Sequence, residues 1–189
     1  MLADDMGWAQ PGFNGGNREL TPNMDKLAAE SVRLTQFYTH SVCAPTRGAL
    51  LTGRYAFRNW MDWRSEDFGK PSYLKKLGLT LAHNDRGEPT RRIHALDTRE
   101  RTLAEALKET GYFTALIGKW HLRQEPAAFE YYCVLPGQGR YFDPTFRVRG
   151  PQAWPRNTIS KEGQHSSDAI TDISLDWLKN SWDRDRPFF

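Results

Sequence analysis

Three places in this sequence carry residue types whose spacing could do chemistry. In Ser41-Val42-Cys43-Ala44-Pro45-Thr46-Arg47 the cysteine lies just before a predicted short helix, entered through Pro45 and ended by Gly53. The positive end of a helix stabilises an anion, and Arg47, one turn on, can fold back toward the same spot. Cys43 there is either a thiolate nucleophile or, like most free cysteines, a small buried hydrophobe. Asp4 and Asp5 follow three apolar residues that read as the end of a buried strand. Two adjacent carboxylates at a strand tip suit a hard cation, Ca²⁺ or Mg²⁺; the alternative is a helix cap or a solvated turn. Lys119 and His121 form the third cluster, two apart on a predicted extended segment and so on one face. Together they could grip one small anion, or simply decorate an exposed strand end. The clusters conflict in one respect: a soft thiolate is a poor partner for a hard cation.

The elements that must position these groups follow an α/β pattern. Thr21-Pro22-Asn23 reads as a helix start with a hydroxyl cap and proline at the first turn, and Met24, Leu27 and Ala28 recur at helical spacing. Val32 to Tyr38 is β-branched and aromatic and predicts a short strand. Thr102-Leu103-Ala104-Glu105 is a capping box, followed by a stripe of Leu103, Ala106 and Leu107 that ends at Gly111. Tyr112 to Ile117 predicts a buried strand with Lys119 and His121 at its C-terminal end, residues 133–157 an ordered loop region, and Ser167 to Asn180 a helix burying Ile170, Ile173, Trp177 and Leu178. Helices alternating with strands that end in polar groups place the chemistry at strand tips. Residues 55–100 read as an insertion or surface loop. Arg91, Arg92, Arg99 and Arg101 there either grip a polyanion or balance Asp85, Glu88, Asp97 and Glu100 on a solvated face.

Composition narrows the classes. With 26 Lys+Arg against 23 Asp+Glu and 39% apolar residues in 189, the chain is globular, neither acidic nor low in complexity. A net charge of +3 and the lack of a nucleic-acid motif argue against a nucleic-acid partner. No apolar run approaches the roughly 18–20 residues of a membrane span. Cys43 and Cys133 are too few for a disulfide framework and form no C-x-x-C pair. Met1-Leu2-Ala3 lacks the charged and apolar regions of a signal peptide, and Arg186-Pro187-Phe188-Phe189 reads as a strand about to begin. A fragment of a larger chain is therefore expected.

Cys43-Ala44-Pro45-Thr46-Arg47, continuing into Gly48-Ala49-Leu50-Leu51-Thr52-Gly53-Arg54, resembles the C-x-P-x-R signature of the type I sulfatases. Three fixed letters arise by chance in on the order of one chain in a hundred of this length, so the other matches decide the case. Leu2-Ala3-Asp4-Asp5-Met6-Gly7 is similar to that family's first metal strand, Thr21 to Ala28 to its following helix, and Gly118-Lys119-Trp120-His121-Leu122 to its third motif. The resemblance implies an alkaline-phosphatase-like mixed sheet flanked by helices, with residues 1–189 the N-terminal portion of the catalytic domain. It implies that a maturation enzyme oxidises Cys43 to formylglycine, whose hydrate is an oxygen nucleophile suited to a hard cation, which removes the conflict. Asp4, Asp5 and the modified Cys43 would be ligands of Ca²⁺ or Mg²⁺. Arg47 would orient the diol, Lys119 would hold a sulfate oxygen, and His121 would hydrogen-bond the second diol hydroxyl. The implied partner is a sulfated small molecule or glycan. Val134 to Gly139 with Tyr141 to Pro144 is similar to a segment of the glycosaminoglycan-type, N-acetylglucosamine-6-sulfatase-like group. Most relatives are exported, which sets the expected location of the parent protein.

Two departures stand out. Arg123 occupies the position where the family has glycine after His-Leu, and the family's Asp-Asn metal pair, further histidine and second lysine have no counterpart in these residues. The chain alone is therefore expected to hold metal weakly and turn over poorly. Two rival readings remain at this level: a phosphatase or phosphodiesterase of the same superfamily, and an incompetent sulfatase-like fragment that at most binds glycan.

Overall fold

A computed structural model describes residues 1–56, 58–59, 96 and 99–189. Arg91, Arg92, Asp85, Glu88 and Asp97, and with them most of the 55–100 segment, lie outside the described residues. The chain forms two compact units, Met1–Cys43 and Ala44–Phe189.

The first unit holds a 3-10 turn, Gly12–Asn14, and helix α1, Pro22–Ala29. Thr21 does stand at the start of α1 with Pro22 as its first residue, but its hydroxyl does not cap the helix. It accepts from the Gly12 N–H at 2.9 Å and donates to the Asp25 carboxylate, which also accepts from the Phe13 N–H at 2.8 Å. The 3-10 turn thereby takes the place of the helix's own N-terminus as the partner of Thr21. Glycine is required at position 12, where a Cβ would lie 2.8 Å from the Arg18 Cα and closer still to Asp25. Two expectations fail in this unit. Val32 to Tyr38 forms no strand and its large apolar side chains are exposed, and Met1 to Ala3 form none either. A strand needs a neighbour to satisfy its backbone groups, and no strand exists among residues 1–43.

The second unit is layered. Its sheet runs in the order β1 (Ala115–Lys119), β2 (Tyr131–Leu135), β3 (Thr145–Val148), β4 (Thr158–Ser160). β1 and β2 are parallel, with Lys119 opposite Leu135; the two remaining pairings are antiparallel. β2 and β3 thus take up seven residues of the expected 133–157 loop region, and the rest of it is loop and turn. The sequence Tyr-Tyr-Cys-Val-Leu of β2 is a near-continuous apolar run, as a strand covered on both faces requires. Its alternation sorts the core. Tyr132 and Val134 pack with Ala44, Ala104, Trp120, Leu122 and Phe129, whereas Cys133 and Leu135 pack with Phe146, Ala169 and Ile173. Helices α2 (Cys43–Thr52) and α3 (Leu103–Glu109) therefore serve the first core cluster, and α4 (Ser166–Asp176) the second.

Local chemistry sets the helix ends. The Thr102–Glu105 capping box forms as expected, each side chain bonded to the other's backbone N–H. The stripe of α3 is rotated from the expected one: Ala104 is fully buried and Leu103 exposed. Gly53, at φ +65°, ends α2 with its N–H on the Ala49 carbonyl. Asn59, fully buried, ties that end down by donating to Thr52 Oγ1 and the Arg54 carbonyl. With Ala56 and Leu96 also buried, the edges of the 55–100 segment belong to the core. α4 passes at Trp177 into a π-helical turn that leaves Leu178 exposed, against expectation, while Trp177 and Ile173 are buried as expected.

Arg186 clamps the other edge of the sheet. Its guanidinium donates to the Gly111 and Tyr112 carbonyls, pairs with both oxygens of Glu130 at 2.7 and 3.2 Å, and lies over the Phe113 ring. Phe188 bridges to Phe113 beside it. The Arg186 hydrogen bond holds the Glu130 carboxyl below its ordinary value of 4.5. A group with a depressed folded pKa stabilises the fold above its unfolded value and loses that contribution as pH falls through the folded one. Urea midpoints of wild type and Glu130→Gln are therefore expected to differ at neutral pH and to converge below about pH 4.5. Parallel curves across that range would contradict the assignment.

Candidate active site

Cys43 is the first residue of α2, half-buried, and Arg47 follows one turn later. Neither cysteine is in a disulfide. Ala44, Pro45 and Gly48 are buried, so the small residues of C-x-P-x-R-G let this end of the helix sit against the core. Arg47 Nη1 donates to the Lys119 backbone carbonyl at 2.5 Å. The cysteine-bearing helix is thus pinned to the C-terminal tip of β1, where an α/β sheet presents its chemistry.

At that tip the expected geometry needs correction. β1 ends at Lys119, Gly118 has φ +102° and His121 φ +59°, so the segment does not run extended and Lys119 and His121 do not share a strand face. The reason lies in the anchors on either side. Trp120 is buried with its indole N–H on the Gln124 carbonyl, and Leu122 is fully buried, which forces the backbone through a left-handed step at the residue between them. Lys119 Nζ donates to Gln138 Oε1 at 2.5 Å. Gln138 sits in a turn whose Gly139 N–H reaches the Pro136 carbonyl, and a Cβ at Gly139 would lie 2.8 Å from Leu135 Cδ1. The register that sets Lys119 beside Leu135 is what delivers this turn to the amine.

His121 lines a cleft of about 380 Å³ with Trp120, Arg123, Leu135, Gly137, Arg147 and Trp154. From the sequence, Gln138 stood out only as part of the Val134 to Gly139 segment, and Arg147 and Trp154 did not stand out at all. Their role depends on strand pairing, since β3 lies antiparallel to β2 with Arg147 opposite Val134.

Asp4 and Asp5 are exposed, and Asp5 takes φ +57°, a left-handed conformation that aspartate tolerates better than most residues. Among the described residues no three His, Cys, Asp or Glu side chains gather into a group able to hold a metal ion. The two carboxylates are hard oxygen donors of the kind that a divalent cation such as Ca²⁺ or Mg²⁺ takes. No helix among the described residues is long and apolar enough to cross a membrane.

Known proteins bear on these motifs directly. A family model described as Sulfatase matches residues 1–189. The chain is 30% identical, over all of its length, to an N-acetylglucosamine-6-O-sulfatase of Bacteroides thetaiotaomicron, of which it covers 28%. It is 37% identical, over 95% of its length, to arylsulfatase G of Canis lupus familiaris, of which it covers 31%. Among solved structures, one captured in complex with its substrate D-glucosamine-2-N,6-O-disulfate matches with a TM-score of 0.71 at 30% identity, over 98% of this chain and 31% of that one. A sulfatase from Pseudoalteromonas sp. matches with a TM-score of 0.65 at 26% identity, over 99% of this chain and 41% of that one. The chain thus spans about a third of the length of the curated relatives it matches. Its mixed four-stranded sheet with flanking helices is the alkaline-phosphatase-like arrangement of those neighbours. With the C-x-P-x-R helix start pinned to the strand tip that carries Lys119, and a family match along its whole length, the chain belongs to the sulfatase family.

Proposed function

We propose that the protein carrying this chain hydrolyses a sulfate ester of a carbohydrate, with Cys43, oxidised to formylglycine by a maturation enzyme, as the nucleophile. The observation that carries the reading is the Arg47–Lys119 hydrogen bond, which joins two motifs that are 72 residues apart. The named relatives support the substrate class: one acts on N-acetylglucosamine 6-O-sulfate by its name, and one structural neighbour holds a sulfated glucosamine.

Each residue then has a physical task. The hydrated formylglycine supplies an oxygen nucleophile. Asp4 and Asp5 would hold a divalent cation, Ca²⁺ or Mg²⁺, that draws charge from the sulfate oxygens when bound. Arg47 stands one helical turn from position 43, where its fixed positive charge favours an anionic oxygen, and its bond to the Lys119 carbonyl keeps the strand tip in place. Lys119 is a point charge for a sulfate oxygen, aimed by Gln138. His121 can take or give a proton near neutral pH, the property needed to restore the nucleophile after sulfate transfer. We place the mature protein outside the cytoplasm, as for most relatives.

Side-by-side assay of an aryl sulfate and an aryl phosphate on the intact, matured protein tests the reaction class. The expected result is a kcat/KM for sulfate at least about 10²-fold above that for phosphate. A dominant phosphatase rate would overturn the reading in favour of a phosphatase of the same superfamily.

A further inference from the structure

We propose that Asn14, oriented by Arg33, is a positioning residue for the Asp4 and Asp5 carboxylates, holding the pair in a cation-binding conformation before the cation arrives. This rests on the reading above that the pair takes Ca²⁺ or Mg²⁺, and adds to it the residues that set the pair's geometry.

Asp4 and Asp5 stand on neither a helix nor a strand. Ligand side chains on such backbone keep their geometry only when residues behind them brace it. Asp5 has φ +57°, a conformation that persists where the surroundings impose it. The residues just after it form a connected set of contacts. Residues 7–10 close as a turn: the Gln10 N–H donates to the Gly7 carbonyl at 3.0 Å, and the Gly7 N–H donates in return to Gln10 Oε1. Asn14 fixes that turn against the rest of the unit, its Nδ2 donating to the Trp8 carbonyl at 2.9 Å.

The direction of the amide is set chemically. Arg33 Nη2 donates to Asn14 Oδ1 at 2.9 Å, and a guanidinium can only donate, so the amide oxygen faces Arg33 and its NH₂ group faces Trp8. Arg33 is itself steadied over the Phe13 ring, 5.2 Å from the centroid. Helix α1 is the base of the whole arrangement. The Asp25 carboxylate holds the Phe13 N–H and Thr21 Oγ1 the Gly12 N–H, so the 3-10 turn that carries Asn14 is tied to the helix. Close backbone packing completes it. A Cβ at Gly16 would lie 2.0 Å from the Gln10 carbonyl oxygen and 2.6 Å from that of Ala9, so the 7–10 turn rests directly on the chain beyond the 3-10 turn.

Adjacent carboxylates repel each other when no cation lies between them. Left unbraced they relax apart, and a cation has to reverse that relaxation at a cost in affinity. An amide bonded to the main chain three residues from Asp5 opposes the relaxation without adding a charge or a ligand.

Calorimetric titration of the intact, matured, metal-stripped protein with Ca²⁺ tests this, run beside thermal melting of the metal-free protein. Asp5→Asn is expected to weaken Ca²⁺ by at least about 100-fold, which checks the cation reading itself. Asn14→Leu, similar in size but without hydrogen bonds, should weaken it by about tenfold, as for a residue that orients a ligand. Asn14→Asp is the sharper variant. It keeps the bond to Arg33, sets an oxygen against the Trp8 carbonyl, and adds a negative charge that by itself would tighten a cation. It should nevertheless bind Ca²⁺ more weakly than wild type. Both Asn14 variants should keep the metal-free Tm of wild type, whereas a merely structural Asn14 would lower Tm and leave the Kd alone. Unchanged affinity in Asn14→Leu, or tighter binding in Asn14→Asp, with Asp5→Asn weakened, overturns the positioning role and leaves the cation reading intact. Ca²⁺ bound by Asp5→Asn as tightly as by wild type removes the pair from the cation site, and the positioning role falls with it.

Discussion

Cys43→Ala is expected to abolish sulfate release from the intact protein, and wild type is expected to be active only in the fraction of molecules whose Cys43 has lost its thiol. The argument is chemical. Asp4 and Asp5 offer hard oxygen donors, and a thiolate beside a hard cation is the wrong partner, whereas an oxidised, hydrated side chain is a third oxygen. The structure also makes the measurement clean. The second cysteine of these 189 residues, Cys133, is fully buried in β2 with Phe146 and the α4 residues, and burial pushes its thiol up to about 12. At pH 8 its thiolate fraction is on the order of 10⁻⁴, and the sulfur is also out of a reagent's reach. Alkylation of the folded protein, read on the peptides that carry the two cysteines, is therefore expected to label Cys43 before maturation and not after it, and Cys133 only on unfolding. Intact mass should show the thiol replaced by an aldehyde or its hydrate in the unlabelled, active fraction. Full activity in protein that is still labelled at Cys43 would return it to the ordinary thiolate nucleophiles.

What could be read from the sequence was what depends on neighbours a few residues away. The Thr102–Glu105 box, the Gly53 stop and the proline-entered α2 are satisfied within single turns, so composition and spacing specify them. The C-x-P-x-R and Gly-Lys-Trp-His motifs were legible for the same reason. What was not legible depends on partners far along the chain. Val32 to Tyr38 has strand-like composition but no strand among residues 1–43 to pair with, and β propensity mostly measures fit to a neighbour. The stripe on α3 was read from leucine, yet the helix approaches the core closely enough that Ala104 is the residue that fits. Arg147 looks like any surface arginine until the β2–β3 register sets it opposite Val134 at the edge of the cleft. The shared face of Lys119 and His121 failed because a period of two presumes extended backbone, and the burial of Trp120 and Leu122 breaks it.

That correction sharpens the second large effect rather than removing it. Lys119→Ala is expected to lower kcat/KM by about 10²–10³, the usual loss for one electrostatic donor to a developing oxyanion. Its amine is aimed by Gln138 and its carbonyl by Arg47, so both ends of the residue are held by groups outside β1. Gln138→Ala, which leaves the charge and frees only its direction, should cost clearly less. His121 is itself the left-handed step and lines the cleft instead, so its part in the reaction is separable from that of Lys119. With the charge on sulfate intact, His121→Ala should still release the first alcohol and then stall. Rapid mixing should show a burst of about one equivalent followed by slow turnover, whereas Lys119→Ala shows slow release from the start and no burst. Near-normal kinetics in both variants would move this strand tip out of the site. A burst in Lys119→Ala and none in His121→Ala would exchange their roles.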